Sequence, residues 1–99
     1  MHILRIEHPV PSYERWKEAF DSDPIGREQG GVVRYRVLRD VGDPGWVQID
    51  LEFEDGSEAA AFLAKLRELW SRVDVMHDPA ARIVEVTEAH TYRLGRAGD

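Results

Sequence analysis

The sequence predicts an α+β fold in which one antiparallel β-sheet carries two α-helices on one of its faces. Three observations predict it: four short segments alternate apolar and polar residues, two segments repeat apolar residues at helical spacing, and the order is β-α-β-β-α-β. A chain of 99 residues has the length of one domain. We expect that domain to span residues 1–94, with a flexible tail at residues 95–99.

The first strand and the first helix are predicted within residues 2–21. Residues 2–8 alternate, with Leu4 and Ile6 in the apolar set, and prolines end the strand. Ser12 is a favourable N-cap for a helix that reaches about Asp21. The apolar residues of this helix follow helical spacing: Tyr13, Trp16, Ala19 and Phe20.

Residues 31–55 predict a long β-hairpin. Its two arms alternate in the same way, with Val33, Tyr35 and Val37 in the first arm and Val47, Ile49, Leu51 and Phe53 in the second. The segment between them contains proline and glycine, which favour a turn.

Two registers of this hairpin bring its apolar faces together. One register opposes Arg34 to Asp50, and the other opposes Arg34 to Glu52 and Arg36 to Asp50. Both registers place cations opposite anions or polar groups on the second face of the hairpin.

The second helix and the last strand complete the chain. Asp55-Gly56-Ser57 closes the hairpin and caps a helix whose apolar residues form one stripe: Ala59, Phe62, Leu63, Leu66, Leu69, Trp70 and Val73. Residues 82–87 predict the last strand, with Val84 and Val86 facing the helices and Ile83 and Glu85 facing away.

This order of elements is the split βαβ, or ferredoxin-like, arrangement. Each helix has one apolar stripe, so we expect both helices to cover the same sheet face. The other face is predicted to carry both charged and large apolar side chains: Ile3, Arg5, Glu7, Val32, Arg34, Arg36, Leu38, Trp46, Gln48, Asp50, Glu52, Ile83 and Glu85.

A solvated face does not require large apolar side chains, so we expect the mixed face to be buried against a second copy of the chain. Its charges would then be paired within and across subunits, because an unpaired buried charge is very costly. The alternative is an open sheet with one solvated face. The predicted homodimer forms through the face that carries Arg34, Arg36, Trp46, Asp50 and Glu52.

The composition argues against several classes of function. The net charge is −6 and no basic patch stands out, so we expect no nucleic-acid partner. No apolar run approaches about 18 residues and no stretch resembles a signal peptide, so we expect neither a membrane span nor secretion. The absence of cysteine excludes disulfides and thiolate catalysis and favours a cytoplasmic location. Eleven arginines against two lysines indicate the coding bias of a GC-rich bacterial genome.

Several side chains are candidates for a site. His8, Tyr35 and His77 are the candidate catalytic residues. His77 precedes an aspartate, and a His–Asp pair can act as a general base and its orienting group. No HxH or HxxxH spacing occurs, so we expect no metal. The candidate ligand-binding residues are Trp16, Arg27, Tyr35 and Trp70, with Arg27 placed to meet an anion at the mouth of a cleft. The alternative roles are core packing for the aromatic residues and a solvated charge for Arg27.

The element order, the chain length and the hairpin together resemble the dimeric α/β-barrel superfamily, which includes antibiotic-biosynthesis-monooxygenase-like domains. The resemblance covers nearly the whole chain and includes no specific motif. It implies protomers whose sheets pack face to face and a small-molecule cleft between the sheet and the helices. The cofactor-free monooxygenases of that superfamily and its haem-degrading branch typically use an Asn on or near strand one, together with a Trp and a His or Tyr. This chain has Trp70 and His77 but no asparagine.

Two functions therefore stay open. The favoured one is a non-enzymatic protein that binds a small apolar or aromatic molecule or acts as an accessory protein, because no complete catalytic constellation is present. The alternative is a small cofactor-free enzyme, monooxygenase-like or isomerase/cyclase-like, that acts on an aromatic or lactone-type metabolite. An enzyme should have an open cleft between the second helix and the sheet, in which at least two titratable groups converge.

Overall fold

The computed structural model describes residues 1–72 and 79–93 and has the predicted order of elements. The strands and helices are β1 (His2–Pro9), α1 (Tyr13–Asp21), β2 (Val32–Arg39), β3 (Trp46–Phe53), α2 (Gly56–Trp70) and β4 (Ala80–Glu85). The strands form one antiparallel sheet in the order β2-β3-β1-β4. This is the predicted ferredoxin-like α+β arrangement. Val73, His77 and the predicted tail at 95–99 lie outside the described residues.

The core lies between the two helices and the sheet. Alternation along β1 and β3 turns Leu4, Ile6, Ile49 and Leu51 towards the helices, and α2 contributes Phe62 and other residues of its apolar stripe. As predicted, side-chain caps accept hydrogen bonds from backbone N–H groups in the first turn of each helix. Ser12 Oγ accepts from the backbone N of Arg15 at 3.3 Å, and Asp55 Oδ1 accepts from that of Ser57 at 2.9 Å. Within the part of the chain described here, no helix is long and apolar enough to cross a membrane.

The hairpin takes the second of the two predicted registers, with Arg34 opposite Glu52 and Arg36 opposite Asp50. A β-bulge between Val32 and Arg34 interrupts this pairing, because Val32 pairs with Phe53 and Val33 is the extra residue. The bulge corrects the predicted faces at this point: Val32 packs against the core, and Val33 is exposed.

Strand β4 also differs from the prediction. It begins two residues earlier, at Ala80, and its pairing sets Ile83 opposite Leu4 and Val84 opposite Ile3. Ile83 therefore faces the helices, whereas Val84 lies on the opposite side of the sheet. The prediction was wrong here because Ile83, Val84 and Val86 offer an apolar residue to either face. The alternation alone cannot decide the register of such a strand.

The sheet face opposite the helices is called the open face below. It carries Ile3, Arg5, Glu7, Arg34, Arg36, Leu38, Trp46, Gln48, Asp50, Glu52, Arg82 and Val84. Asp50 lies near its centre and is only 1% exposed. Arg5 covers this carboxylate and donates to both of its oxygens, at 2.9 and 3.0 Å. Arg36 and Gln48 donate to it as well, at 3.2 and 3.4 Å.

Ion pairing sets the protonation of Asp50 and Glu52 on the open face. Burial alone would raise the pKa of Asp50, but the hydrogen bonds of Arg5 and the charges of Arg5 and Arg36 outweigh it, and the pKa lies below its ordinary value. The two hydrogen bonds from Arg34, at 2.7 and 2.9 Å, lower the pKa of Glu52. Both carboxylates are therefore ionised and paired at neutral pH.

Candidate functional site

A cavity of about 230 Å³ lies between the helices, the segment that follows α1, and strands β1 and β3. We call it the cleft. Its lining is mostly aliphatic and aromatic, because it is formed by the helix-facing side of the sheet and the apolar stripes of both helices. Among the described residues, four polar side chains contribute to the lining: His8, Ser22, Asp23 and Arg27.

His8 is the buried polar group of the cleft wall. Alternation along β1 turns it to the helix side, opposite Val47, and it is 0% exposed. Its Nδ1 lies 3.0 Å from the carbonyl oxygen of Pro9, which can only accept a hydrogen bond, so Nδ1 carries the ring proton. Burial lowers the pKa of His8, against a smaller opposite effect of this hydrogen bond, so the ring is neutral at pH 7.

The Nε2 atom of this neutral ring is an unprotonated acceptor. It is buried and has no hydrogen-bond partner within the described part of the chain. A buried acceptor without a donor costs free energy, about 1–3 kcal/mol. His8 can therefore accept a hydrogen bond from a bound molecule, or a proton from an acidic group, without displacing an existing partner.

Aromatic rings connect His8 to the other end of the cleft. The ring centroids of His8 and Trp16 are 5.8 Å apart, and those of Trp16 and Phe20 are 5.2 Å apart in a stacked pair. Trp16 and Phe20 are four residues apart on α1 and so share one helix face. The guanidinium carbon of Arg27 lies 4.0 Å from the centroid of Phe20. We call His8, Trp16, Phe20 and Arg27 the aromatic row.

Arg27 is held in place from three sides. Its Nη1 donates to the carbonyl oxygen of Phe20 at 2.8 Å, and its guanidinium also lies 4.9 Å from the ring centroid of Tyr35. Its backbone N donates to Oδ1 of Asp23 at 2.9 Å. The guanidinium itself is 3.7 Å from the same carboxylate, which is a loose ion pair. The cation is thus mostly buried at one end of the cleft.

The structure brings most of the predicted site residues together. His8, Trp16, Arg27 and Trp70 line the same cleft. Tyr35 does not line it: this residue is 43% exposed on the edge strand β2, where it meets Phe20 edge-on and shares a shallow depression with Arg27. His77 lies outside the described residues.

Sequence reasoning did not place Asp23 in the site. Asp23-Pro24 is a sequence typical of the start of a turn, and Asp23 Oδ1 accepts a hydrogen bond from the backbone N of Arg27. Its position in the cleft lining follows from the path of the segment after α1. No group of three or more His, Asp or Glu side chains among the described residues is placed to hold a metal ion.

Solved structures share this fold. A protein from Deinococcus radiodurans, described as a candidate antibiotic biosynthesis monooxygenase, superposes with a TM-score of 0.63 at 16% identity, over 94% of this chain and 99% of that one. A second structure, of an antibiotic biosynthesis monooxygenase, has a TM-score of 0.62 at 14% identity, over 89% of this chain and 100% of that one. No family model and no curated protein sequence matches the chain. At these identities the likeness shows the fold.

Proposed function

We propose that the protein binds a small, mainly aromatic molecule in the cleft and that His8 Nε2 accepts a hydrogen bond from a hydroxyl group of that molecule. The observation that carries this proposal is the buried acceptor without a donor among the described residues, in a mostly apolar cavity. Ligand sites are typically apolar clefts with a few polar groups that fix orientation. A ligand with a hydroxyl group satisfies Nε2, whereas a purely apolar ligand leaves it unpaired.

The test compares 2-naphthol with naphthalene. Trp16 and Trp70 line the cleft, so quenching of their fluorescence reports binding. The variant Trp46→Phe removes the tryptophan of the open face and serves as the background. We expect 2-naphthol to bind about tenfold more tightly than naphthalene, since a hydrogen bond of about 1.4 kcal/mol corresponds to that factor.

The variant His8→Phe keeps an aromatic ring but removes the acceptor, so the preference for 2-naphthol should disappear. Binding of naphthalene should persist, which shows that the variant is folded. The proposal fails if neither compound binds the unmodified protein, or if the preference survives in His8→Phe.

The second candidate is a cofactor-free enzyme that uses His8 as a base, monooxygenase-like or isomerase/cyclase-like. Two observations favour it: His8 is neutral with a free lone pair in a mostly apolar cleft, and structural neighbours are described as antibiotic biosynthesis monooxygenases. In this role His8 takes the hydroxyl proton, and for an oxygenase O2 is the oxidant. Oxygen uptake above a protein-free background, or product formation without oxygen, that is lost in His8→Phe would support catalysis. If the protein binds the compound but causes neither oxygen uptake nor product formation, the result supports the non-enzymatic binding function.

We also propose that two copies of the chain associate through the open face. Leu38 and Trp46 are exposed there, and the central carboxylates Asp50 and Glu52 already have arginine partners in their own protomer. Burial of this face would therefore cover apolar surface without leaving those charges unpaired.

The assembly is tested by sedimentation at tens of micromolar protein. The unmodified chain should sediment as a dimer. The double variant Arg34→Glu and Arg36→Glu places acids beside Glu52 and Asp50, and it should sediment as a monomer because like charges then meet across the interface. A monomeric unmodified chain would refute the proposal.

A further inference from the structure

The aromatic row has a hydrogen-bond acceptor at one end and a cation at the other. His8 Nε2 can only accept, and the guanidinium of Arg27 can only donate. Successive members of the row, from His8 through Trp16 and Phe20 to Arg27, are separated by 5.8, 5.2 and 4.0 Å. A flat molecule that lies along the row would therefore need a hydrogen-bond donor at its His8 end and an acceptor at its Arg27 end.

Arg27 retains donors for a ligand. A guanidinium has five N–H groups, and within the described residues its side chain makes one hydrogen bond, from Nη1 to the carbonyl oxygen of Phe20. The rings of Phe20 and Tyr35 lie against the guanidinium carbon rather than accepting its N–H groups. Arg27 lines both the cleft and the shallow depression beside Tyr35, so a bound molecule can approach it from the cleft.

The charges around Arg27 are mixed. Asp23 is the nearest carboxylate, but at 3.7 Å its contact with the guanidinium is longer than a hydrogen bond, and its Oδ1 already accepts from the backbone N of Arg27. Glu28 lines the depression, and Arg34 there is paired with Glu52. Planar carboxylates are the preferred partners of arginine, because two parallel N–H···O bonds can form. Asp23 should weaken such binding without preventing it.

We infer that the ligand class is a hydroxylated aromatic carboxylate, whose hydroxyl donates to His8 and whose carboxylate binds Arg27. The inference rests on the proposed binding function and adds the charge and the orientation of the ligand. In this arrangement the aromatic part of the ligand lies beside Trp16 and Phe20 in the cleft.

The experiment uses 6-hydroxy-2-naphthoic acid, its methyl ester and 2-naphthol, with the tryptophan fluorescence readout. The acid and the ester have the same ring and the same hydroxyl group but differ in charge. The unmodified protein should bind the acid at least about tenfold more tightly than the ester, because a hydrogen bond to a charged group is stronger than one to a neutral group. Added salt should weaken binding of the acid and leave the ester unchanged.

Substitutions of Arg27 and of Asp23 should change the binding of the acid in opposite directions. Arg27→Gln should remove the preference for the acid, and Arg27→Lys should keep part of it. Asp23→Asn removes the competing negative charge and should strengthen binding of the acid alone. Asn also suits the site, because residue 23 has a φ of 50° and Asn tolerates that region better than most residues. Its amide oxygen can still accept from the backbone N of Arg27.

The outcomes separate this inference from the proposed function. If 2-naphthol binds but the acid and the ester bind equally well, the inference is wrong and the proposed function stands. If the acid is preferred and neither Arg27→Gln nor Asp23→Asn alters that preference, the anion binds elsewhere and the inference is again wrong. If none of the three compounds binds, the proposed function fails, and the inference fails with it. Should Arg27→Gln not fold, the comparison of acid with ester and the Asp23→Asn variant decide the question.

Discussion

The substitution Asp50→Asn removes a buried negative charge from the open face while keeping the shape of the side chain. Arg5 donates to both oxygens of Asp50, and Arg36 and Gln48 add one hydrogen bond each. In Asp50→Asn, an NH2 group replaces one of the two carboxylate oxygens that accept hydrogen bonds from Arg5. Hydrogen bonds to charged groups contribute about 1.5–3 kcal/mol each, but Arg5 and Arg36 are partly exposed and regain hydration in the variant. We therefore expect a loss of about 2–4 kcal/mol in the free energy of unfolding at pH 7.

The loss should depend on pH, because the pKa of Asp50 in the folded protein lies below the ordinary value of 3.8. The folded chain then binds this proton less readily than the unfolded chain. The ionised carboxylate stabilises the fold fully above the ordinary pKa, and this contribution is lost as the pH falls through the lower, folded-state pKa. The difference between the unmodified protein and Asp50→Asn should be full at pH 7 and should narrow below about pH 4.

The assay is urea unfolding followed by circular dichroism at pH 7 and pH 3, with equal protein concentrations because an associating chain gains stability by mass action. Glu54→Gln is the matched control: it also neutralises a carboxylate, but Glu54 is exposed, so its effect should stay within about 0.5 kcal/mol. A variant Asp50→Asn within about 0.5 kcal/mol of the unmodified protein at pH 7 would refute the reasoning. If the difference in the free energy of unfolding between the unmodified protein and Asp50→Asn is as large at pH 3 as at pH 7, the electrostatic explanation is refuted.

Three further changes are measurable by the same unfolding assay. Phe62→Ala should cost about 3–5 kcal/mol because the ring is buried in the core, whereas Val41→Ala in the exposed turn should change stability by less than about 0.5 kcal/mol; equal effects would contradict the core described above. Gly31→Ala should cost about 1–3 kcal/mol, because Gly31 has a φ of 99° and an added Cβ would meet the side chain of Glu58; unchanged stability would contradict that strain. Ser12→Ala should cost about 1 kcal/mol through loss of the cap of α1, and no loss would show that the cap is not needed.

The fold class could be predicted because its signals are repeated and local. The hairpin alternates over both arms, α2 has one continuous apolar stripe, and the register that pairs Arg34 with Glu52 is one of the two that were predicted. Strand β4 could not be placed correctly, since Ile83 and Val84 are both apolar and only pairing with β1 decides which of them faces the helices. The bulge at Val33 has no distinct signal in the sequence.

The candidate site was predicted in part. His8, Trp16 and Trp70 follow from apolar periodicity, because a cleft in so small a domain is lined by residues of core-facing positions. Tyr35 has the predicted facing, but β2 is an edge strand, and the residue stays exposed beside Phe20. The missing partner of His8 Nε2 could not be foreseen, because it depends on which carbonyl the other nitrogen meets.

The bulge at Val33 bears on whether the edge of the sheet at β2 can accept a further strand. Strand β2 has only one neighbour in the sheet, so its outer backbone groups are a template on which another chain could add a strand. The extra residue disturbs the hydrogen-bond spacing of that template, and Arg34, Arg36 and Arg39 repeat positive charge along it. A second β2 aligned beside the first would bring these arginines together. Growth of the sheet into open-ended fibrils is therefore disfavoured at this edge.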